Sequence, residues 1–382
     1  MEELLMEELL FEDGMVIRRE LAAGGGKRIA CLTLNTESTL NSLNREMVDS
    51  LLHSLERWRD NPDIICVFID AVGEKAFCAG GDVHELHASS VGTPGGPCEY
   101  AEAFFEQEYR MNYLLHSYPK PILCWGHGIV MGGGLGVLAA CSHKVVTPAT
   151  RMAMPEVTIA LFPDVGGSYF LNRMPGESGL FLALTAAPMN AADALFTGVA
   201  DAFIENEQRG AVLEKLLEES WSGDAAEFPK RVDAILQQFQ SEGKTALPIG
   251  NVEPNMALIN SLCDRSDAVA TVTAITSIDT DDRWLSRARS GLAAGSPLAA
   301  LWTHRQLQIS SKLSLAEIFR SELSLATNIM RDAEFGEGVR ALLIDKDRNP
   351  SWQYSSCAEV PAAKLESFFV EPWSVNPLSD LS

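Results

Sequence analysis

Two carboxylates, Glu156 and Asp164, stand eight residues apart in a segment that is otherwise largely apolar. An ionisable side chain in apolar surroundings is costly unless it is paired or used. Loss of hydration also raises the pKa of such a carboxyl group toward a value suited to general-base catalysis. The segment therefore indicates an acid–base site, and two ordinary capping or hydrogen-bonding acids are an equally good explanation at this point.

Two glycine-rich turns, at 77–82 and 131–136, each follow a predicted buried strand. Glycine lets a ligand approach the backbone closely, and a helix that begins at such a turn points free N–H groups toward it. Two such turns can hold one oxygen atom between them. Glycines that only permit tight helix packing are the alternative explanation.

Common motifs that would give these glycines another role are absent from the sequence. The pattern GxxxxGK[ST] does not occur, and GxGxxG fails because Val137 follows where a glycine is needed. The sequence also lacks GxSxG, the nucleophile turn of serine hydrolases. Nucleotide-phosphate binding and serine-based hydrolysis are therefore not predicted.

The cysteines and histidines do not predict a metal site. None of the eight cysteines forms a CxxC pair, and Cys66 and Cys124 lie in apolar runs, which is typical of reduced core thiols rather than reactive or metal-bound ones. His84 and His87 are three residues apart without further acidic or thiol ligands. A solvated helix face explains this pair better than a metal centre does.

The elements that must position these residues follow from hydropathy patterns. Segments 15–21 and 28–34 predict a β-hairpin, apolar residues at helical spacing from Leu43 predict a helix that ends before Pro62, and 64–72 predicts a buried strand. Strand, helix and strand in this order form a crossover unit of an α/β fold. Further predicted elements are a helix at about 99–116, a strand at 122–130, a short strand at 144–147 and mostly amphipathic helices over 210–345.

These patterns divide the chain into four predicted parts. They are an acidic N-terminal extension (1–14), an α/β domain (15–220), a helical region (221–355) and a tail (356–382). The tail carries little pattern, so it is expected to be either a docking arm or disordered.

Composition excludes several classes of function. The chain has 382 residues and a formal charge of −22, which disfavours binding to nucleic acid or to an anionic membrane. No apolar run reaches the roughly 18–20 residues of a membrane-spanning helix. The first 13 residues contain acids but no Lys or Arg, unlike secretory or transit peptides, so a cytoplasmic location is expected.

Four segments in this order resemble the crotonase superfamily, also called the enoyl-CoA hydratase/isomerase family. They are LNSL at 40–43, KAFCAGGD at 75–82, the glycine-rich stretch 126–136 and the segment around Glu156. The resemblance implies a ββα spiral core and a CoA thioester substrate, with no separate cofactor. It also implies an oxyanion hole whose donors are the backbone N–H groups of Gly81 and Gly133.

Within the family, the acids favour one branch. Hydratases carry a glutamate just after the GGG turn, where this sequence has Gly136. Segments 104–109, 153–170 and 337–347 look like the 3-hydroxyisobutyryl-CoA hydrolase branch. Its substrate-contacting positions fall on four residues here: Glu108, Gly133, Glu156 and Asp164. From pattern alone, Glu108 would pass as a solvated helix residue.

This resemblance implies hydrolysis of 3-hydroxyisobutyryl-CoA in valine breakdown. Glu156 would act as general base or as nucleophile, Asp164 would bind the substrate hydroxyl and help to position water, and Lys75 is a candidate contact to CoA phosphates, with a solvated lysine equally expected. An enoyl-CoA isomerase or hydratase and a non-catalytic acyl-CoA-binding protein are the alternatives. Crotonase relatives commonly form trimers or hexamers, so a homo-oligomer stays open.

Overall fold

The computed structural model describes residues 9–12 and 14–382. Most of the predicted acidic extension, 1–8 and Asp13, lies outside the described residues. Within the described part, none of the helices is both long and apolar enough to cross a membrane. Two compact units are interleaved along the sequence. The first comprises the described residues up to Gly80, Leu114–Met152 and Asn190–Gly250, and the second comprises Gly81–Tyr113, Ala153–Met189 and Asn251–Ser382.

Strands and helices alternate in the first half of the chain. The strands of the described residues are β1 (Leu9–Glu12), β2 (Val16–Ala23), β3 (Lys27–Leu34), β4 (Ile64–Ala71), β5 (Ala76–Cys78), β6 (Ile122–Gly126), β7 (Ile129–Met131), β8 (His143–Val146), β9 (Arg151–Ala153) and β10 (Ala202–Phe203).

Helices dominate the chain after β10. The α-helices of the described residues are α1 (Arg45–Arg59), α2 (Val83–Gly92), α3 (Glu99–His116), α4 (Gly133–Ala140), α5 (Gly167–Leu171), α6 (Ser178–Thr185), α7 (Ala191–Phe196), α8 (Arg209–Glu218), α9 (Phe228–Glu242), α10 (Met256–Leu262), α11 (Ala268–Thr276), α12 (Arg283–Ala294), α13 (Pro297–Ser310), α14 (Leu315–Met330), α15 (Ala333–Val339) and α16 (Ala362–Ser367). The predicted mixed α/β class with a largely helical C-terminal region is confirmed.

A mixed sheet forms the core of the first unit, with strand order β1-β2-β3-β4-β6-β8-β10 among the described residues. β2 and β3 form the predicted antiparallel hairpin, and β3, β4, β6, β8 and β10 run parallel. Helix α1 connects β3 to β4 and buries the predicted apolar stripe, including Met47, Leu51 and Leu55. The predicted crossover unit is therefore confirmed.

The prediction of one strand over 122–130 is wrong. The chain turns after β6, and β7 pairs with β5 in a second, three-stranded sheet of order β5-β7-β9. Gly128 makes the turn possible, because it has φ +58 and a Cβ there would lie 2.2 Å from the Lys75 carbonyl oxygen. Apolar residues on both sides of the turn hid it in a continuous hydrophobic run.

The second unit is mostly helical, and the C-terminal tail belongs to its core. Phe368 and Leu378 are buried, and the ring centroids of Trp302 and Phe368 lie 4.7 Å apart. Asn328 donates hydrogen bonds to the carbonyl oxygens of Phe368 and Val370. Of the two expectations for the tail, docking is the one observed. The division of the chain into four continuous parts, given in the sequence analysis, stays a prediction.

All eight cysteines are buried and none forms a disulfide bond. Burial raises the pKa of the Cys66 thiol to about 12. The eight cysteines are therefore buried packing residues, as the apolar runs predicted.

Candidate active site

The three predicted carboxylates Glu108, Glu156 and Asp164 lie in the second unit. Glu108 belongs to α3, Glu156 begins a 3-10 helix (Glu156–Ile159), and Asp164 lies in the loop before α5. Their exposed fractions are only 2%, 5% and 4%. Loss of hydration raises the pKa of both glutamates, the charge of Asp164 raises it further, and the charge of Glu108 also raises the pKa of Glu156. The structure therefore brings these three acids together.

A tight turn fixes the backbone of Glu156. The carbonyl oxygen of Glu156 accepts the N–H groups of Ala160 and Leu161, and the Thr158 hydroxyl donates to the carbonyl oxygen of Pro155 at 2.6 Å. Ala160 has φ 53, in the left-handed region that ends the short helix. Because these hydrogen bonds fix the backbone of Glu156, its carboxyl group extends from a rigid segment.

Asp164 is held by a side-chain hydrogen bond and by a strained turn. The Tyr109 hydroxyl donates to Asp164 Oδ2 at 2.7 Å. Val165 and Gly166 follow with φ of 53 and 80, and the Gly167 N–H donates to the Asp164 carbonyl oxygen at 2.6 Å. A β-branched residue in the left-handed region costs on the order of 1–3 kcal/mol. Neighbouring groups must therefore hold this turn.

A fourth buried carboxylate, Glu322 of α14, contacts this turn directly. Its Oε2 accepts the Gly166 N–H at 2.8 Å, and its Oε1 accepts the Ser168 N–H at 3.0 Å and the Ser168 hydroxyl. Glu322 has an exposed fraction of 0%. Both oxygens of this side chain are thus engaged with backbone that follows Asp164.

Sequence reasoning missed both Tyr109 and Glu322. Tyr109 carries no local signal, because its partner lies 55 residues away. Glu322 had one: it shares the apolar stripe of α14 with Ile318, Phe319 and Leu325, all buried. An acid inside an apolar stripe at helical spacing indicates a buried polar contact.

Burial raises the pKa of every member of the carboxyl cluster, which we define as Glu108, Glu156, Asp164 and Glu322. Loss of hydration, and then the charge of Asp164, raises the pKa of Glu108 and Glu156 well above 4.5. Burial raises the pKa of Asp164 to about 7, against the lowering effect of the Tyr109 hydrogen bond. It raises the pKa of Glu322 to about 8. Asp164 and Glu322 can therefore exchange protons near neutral pH.

Two carboxyl oxygens of the cluster lack a hydrogen-bond donor among the described residues. Glu108 Oε1 and Glu156 Oε2 are buried and have no hydrogen-bond partner among the described residues. A buried acceptor without a donor is costly, and a bound molecule that supplies an N–H or O–H relieves that cost. The arrangement suits a small ligand that carries hydroxyl groups or water.

In the first unit, the two glycine-rich turns meet. Gly133 is the first residue of α4, where N–H groups lack intrahelical partners. Gly80 has φ +115, and a Cβ there would lie 3.9 Å from the Gly133 nitrogen. A Cβ on Gly134 would lie 2.5 Å from the Cys78 carbonyl oxygen. The glycines therefore serve close packing as well as any ligand.

Gly81 and Lys75 flank the first glycine turn. Gly81 is the first residue of the second unit, and a Cβ there would meet only ring carbons of Phe104, at 3.7 and 3.8 Å. The Lys75 side chain is exposed, while its backbone carbonyl accepts the Ile129 N–H at 3.0 Å. The roles expected for Gly81, Gly133 and Lys75 stay predictions.

The described residues contain no group of three or more His, Cys, Asp or Glu side chains arranged to hold a metal ion. His84 is exposed and His87 is half-buried on α2.

A family model described as enoyl-CoA hydratase/isomerase matches residues 29–369. The chain belongs to this family. The resemblance drawn from the motifs is thereby confirmed, and so is the crotonase-like fold, since solved structures of family members cover nearly the whole chain.

Among curated proteins, the chain is similar to enzymes named 3-hydroxyisobutyryl-CoA hydrolase, mitochondrial. The Xenopus tropicalis protein is 35% identical over 88% of this chain and 85% of its own length. The Homo sapiens protein is 33% identical over the same shares.

Among solved structures, the chain is similar to a carnitinyl-CoA dehydratase from Mycobacterium thermoresistibile. That structure has a TM-score of 0.83 and 30% identity, over 97% of this chain and all of the other. An enoyl-CoA hydratase from Rhodobacter sphaeroides 2.4.1 has a TM-score of 0.77 and 30% identity, over 94% and 98% of the two chains. Both enzymes are named for chemistry on a CoA derivative.

Proposed function

We propose that this protein hydrolyses a short 3-hydroxyacyl-CoA thioester, with 3-hydroxyisobutyryl-CoA as the preferred substrate. The observation that carries the proposal is the buried set of Glu156, Asp164 and Glu108, in which two carboxyl oxygens have no partner among the described residues. The curated relatives named for this hydrolysis support the choice of substrate.

In the proposed reaction, the oxygen of water becomes bonded to the thioester carbonyl carbon and the carbon–sulfur bond breaks. The products are the free hydroxy acid and CoA, whose sulfur receives a proton. Glu156 accepts a proton from the attacking water or attacks the carbonyl carbon itself. Burial raises the pKa of Glu156 well above its ordinary value, which makes its carboxylate a stronger base than an exposed one.

Asp164 is the proposed partner of the substrate hydroxyl. The Tyr109 hydroxyl donates to its Oδ2, and the substrate hydroxyl is proposed to donate to the same carboxylate. A site built around a hydroxyl rejects an analogue that lacks one, because its buried acceptor is then left unpaired. Glu108 is proposed to contact the substrate through Oε1.

The thioester oxygen is proposed to accept hydrogen bonds from the N–H groups of Gly133 and Gly81. Negative charge develops on this oxygen during attack, and losing one such donor typically costs about 10²–10³ in rate. The place of Gly133 at the start of α4 supports its part in this proposal. Lys75 is retained as a candidate contact to CoA phosphates.

A second candidate is hydration or dehydration of an acyl-CoA, since the two similar solved structures are of a carnitinyl-CoA dehydratase and an enoyl-CoA hydratase. Gly136, fully buried in α4, stands where hydratases of this family carry their first glutamate. Without that carboxylate, addition of water across a carbon–carbon double bond loses one of its two acids. Hydrolysis is therefore preferred.

The test compares release of free CoA thiol from 3-hydroxyisobutyryl-CoA and from isobutyryl-CoA. The wild-type protein should prefer the hydroxylated ester by at least ~10-fold in kcat/KM, because only that ester donates a hydrogen bond to Asp164 in addition to the bond from Tyr109. Asp164→Asn should compress the ratio. Equal hydrolysis of both esters, or an unchanged ratio in the variant, would remove hydroxyl recognition from Asp164, and no thiol release from either ester would overturn the hydrolase assignment.

Three further expectations are kept as proposals: no separate cofactor, a cytoplasmic location and an open choice between monomer and homo-oligomer. The curated relatives carry the word mitochondrial in their names, which describes those proteins.

A further inference from the structure

We propose that Glu322 is a positioning residue for Asp164: it holds the turn that follows Asp164 and so fixes where the Asp164 carboxyl group points. This inference deepens the proposed function, on which it rests for its kinetic test. Glu322 itself is proposed to touch neither substrate nor reacting atoms.

The turn after Asp164 is strained. Val165 is a β-branched residue at φ 53, and Gly166 follows at φ 80. Such a conformation persists only when surrounding contacts over-determine it. The acceptors of the Gly166 and Ser168 backbone N–H groups belong to one side chain, Glu322, which is 156 residues from Gly166 in sequence.

Glu322 uses both of its carboxyl oxygens to hold the turn. Oε2 accepts the Gly166 N–H and Oε1 accepts the Ser168 N–H, so each oxygen serves one backbone donor. An amide side chain of the same size has only one acceptor oxygen. In Glu322→Gln, one of the two buried N–H groups therefore loses its acceptor whichever way the amide is oriented.

Hydrogen bonds connect the turn to further residues of helices α13 and α14. Gln306 of α13 donates to the Ser168 hydroxyl oxygen at 3.3 Å, and Ser321 of α14 donates to Gln306 Oε1 at 3.1 Å. Phe319 lies one turn before Glu322 on α14, and the centroid of its ring is 5.9 Å from the centroid of the Tyr109 ring. Helix α14 thus contacts both the turn after Asp164 and the ring of the residue that donates to its carboxylate.

Glu334 offers a matched control. It is also buried, at 1% exposure, in the second unit, and its two oxygens accept the Ser296 hydroxyl at 2.6 Å and the Gln353 backbone N–H at 3.1 Å. These partners lie outside the Asp164 turn. Glu334→Gln therefore reproduces the loss of a buried carboxylate without touching the proposed support.

The experiment measures kcat and KM for 3-hydroxyisobutyryl-CoA and isobutyryl-CoA in the wild type, Glu322→Gln and Glu334→Gln. We expect Glu322→Gln to lower kcat/KM for the hydroxylated ester by about 10-fold and to compress the preference for it, because Asp164 is no longer fixed. Glu334→Gln should keep the wild-type preference. An unchanged preference in Glu322→Gln, or equal compression in both variants, would overturn the inference.

A double-mutant cycle separates positioning from general destabilisation. In an Asp164→Asn background, Glu322→Gln should cause little further compression, because residues that act as one unit are non-additive. Additive effects on the preference would mean that Glu322 does not act through Asp164.

Hydrogen exchange gives a readout that does not depend on the substrate. The amides of Gly166 and Ser168 should exchange at least ~10-fold faster in Glu322→Gln than in the wild type or Glu334→Gln. Unchanged exchange would contradict the inference even where thiol release confirms the hydrolase. Faster exchange without any thiol release would support the positioning role while the proposed function fails.

Ser168→Ala is the second variant, should Glu322→Gln not fold. It removes one hydroxyl donor to Glu322 and keeps both backbone contacts, so a smaller change of the same kind, about 2–3-fold, is expected. Wild-type exchange and wild-type preference in Ser168→Ala would then overturn the inference.

Discussion

The Tyr109 hydroxyl donates a 2.7 Å hydrogen bond to Oδ2 of Asp164, and both groups are buried in the second unit. This bond favours the charged form of Asp164, against the desolvation that raises its pKa to about 7. Tyr109 therefore determines how much of Asp164 is ionised at neutral pH, in addition to where its carboxyl group lies.

Tyr109→Phe should shift the acidic limb of the pH–rate profile to higher pH. The variant keeps the ring and loses the hydrogen bond, so the pKa of Asp164 rises and the carboxylate that accepts the substrate hydroxyl forms only at higher pH. We expect kcat/KM at pH 7 to fall about 10-fold. The measurement is a pH profile of thiol release from 3-hydroxyisobutyryl-CoA.

Tyr113→Phe is the matched control on the same helix. The Tyr113 hydroxyl donates to the Ser382 carbonyl oxygen, and its ring packs on Phe319 like that of Tyr109. Its profile should match the wild type. A Tyr109→Phe profile that also matches the wild type would show that this hydrogen bond does not control the ionisation that limits the rate.

Glu156→Gln should abolish most turnover while binding persists. The substitution keeps the size of the side chain and removes both base and nucleophile, so kcat should fall by about 10²–10⁴. Calorimetric titration with a non-hydrolysable thioether analogue should give a dissociation constant close to that of the wild type. Turnover near the wild-type rate would exclude Glu156 from the reaction.

The wild-type protein should hydrate crotonyl-CoA poorly. Gly136 in α4 supplies no carboxylate where hydratases of the family have one, so activation of water at the double bond lacks an acid. Loss of the enoyl absorbance should therefore be slow compared with thiol release from 3-hydroxyisobutyryl-CoA. Efficient loss of absorbance without thiol release would favour the hydratase alternative over the hydrolase.

Most elements of the fold could be predicted from periodicity, because each buries one continuous apolar face. The stripe of α1 and the apolar run of β4 are such cases. The division of 122–130 into β6 and β7 could not, since Gly128 turns the chain inside an apolar run without changing its hydropathy.

The candidate site was predictable only where its residues cluster in sequence. Glu156 and Asp164 share one segment, whereas Tyr109 and Glu322 reach that segment from α3 and α14. Their partners are set by how the helices of the unit pack, and no local pattern records this. Of these two residues, only Glu322 has a signal in the sequence, because it is an acid within an apolar stripe.

Asp164→Asn should also change how stability depends on pH. The pKa of Asp164 is about 7 in the folded protein, above its ordinary value of 3.8. Between these values the folded state holds a proton that the unfolded state has lost. The contribution of Asp164 to the free energy of unfolding is therefore present at low pH and declines as pH rises toward 7. The free energy of unfolding of the wild type minus that of Asp164→Asn should therefore decrease as the pH is raised from 5 to 7.

Urea unfolding of both proteins at pH 5, 6 and 7 measures this difference. His127 and His304, whose pKa values burial lowers, give a slope of opposite sign in each protein and cancel in the subtraction. The acids with lowered pKa, such as Glu205 and Asp347, are largely ionised in both states above pH 5 and also cancel in the subtraction. A difference that stays constant across this range would mean that Asp164 is already ionised in the folded protein at pH 5.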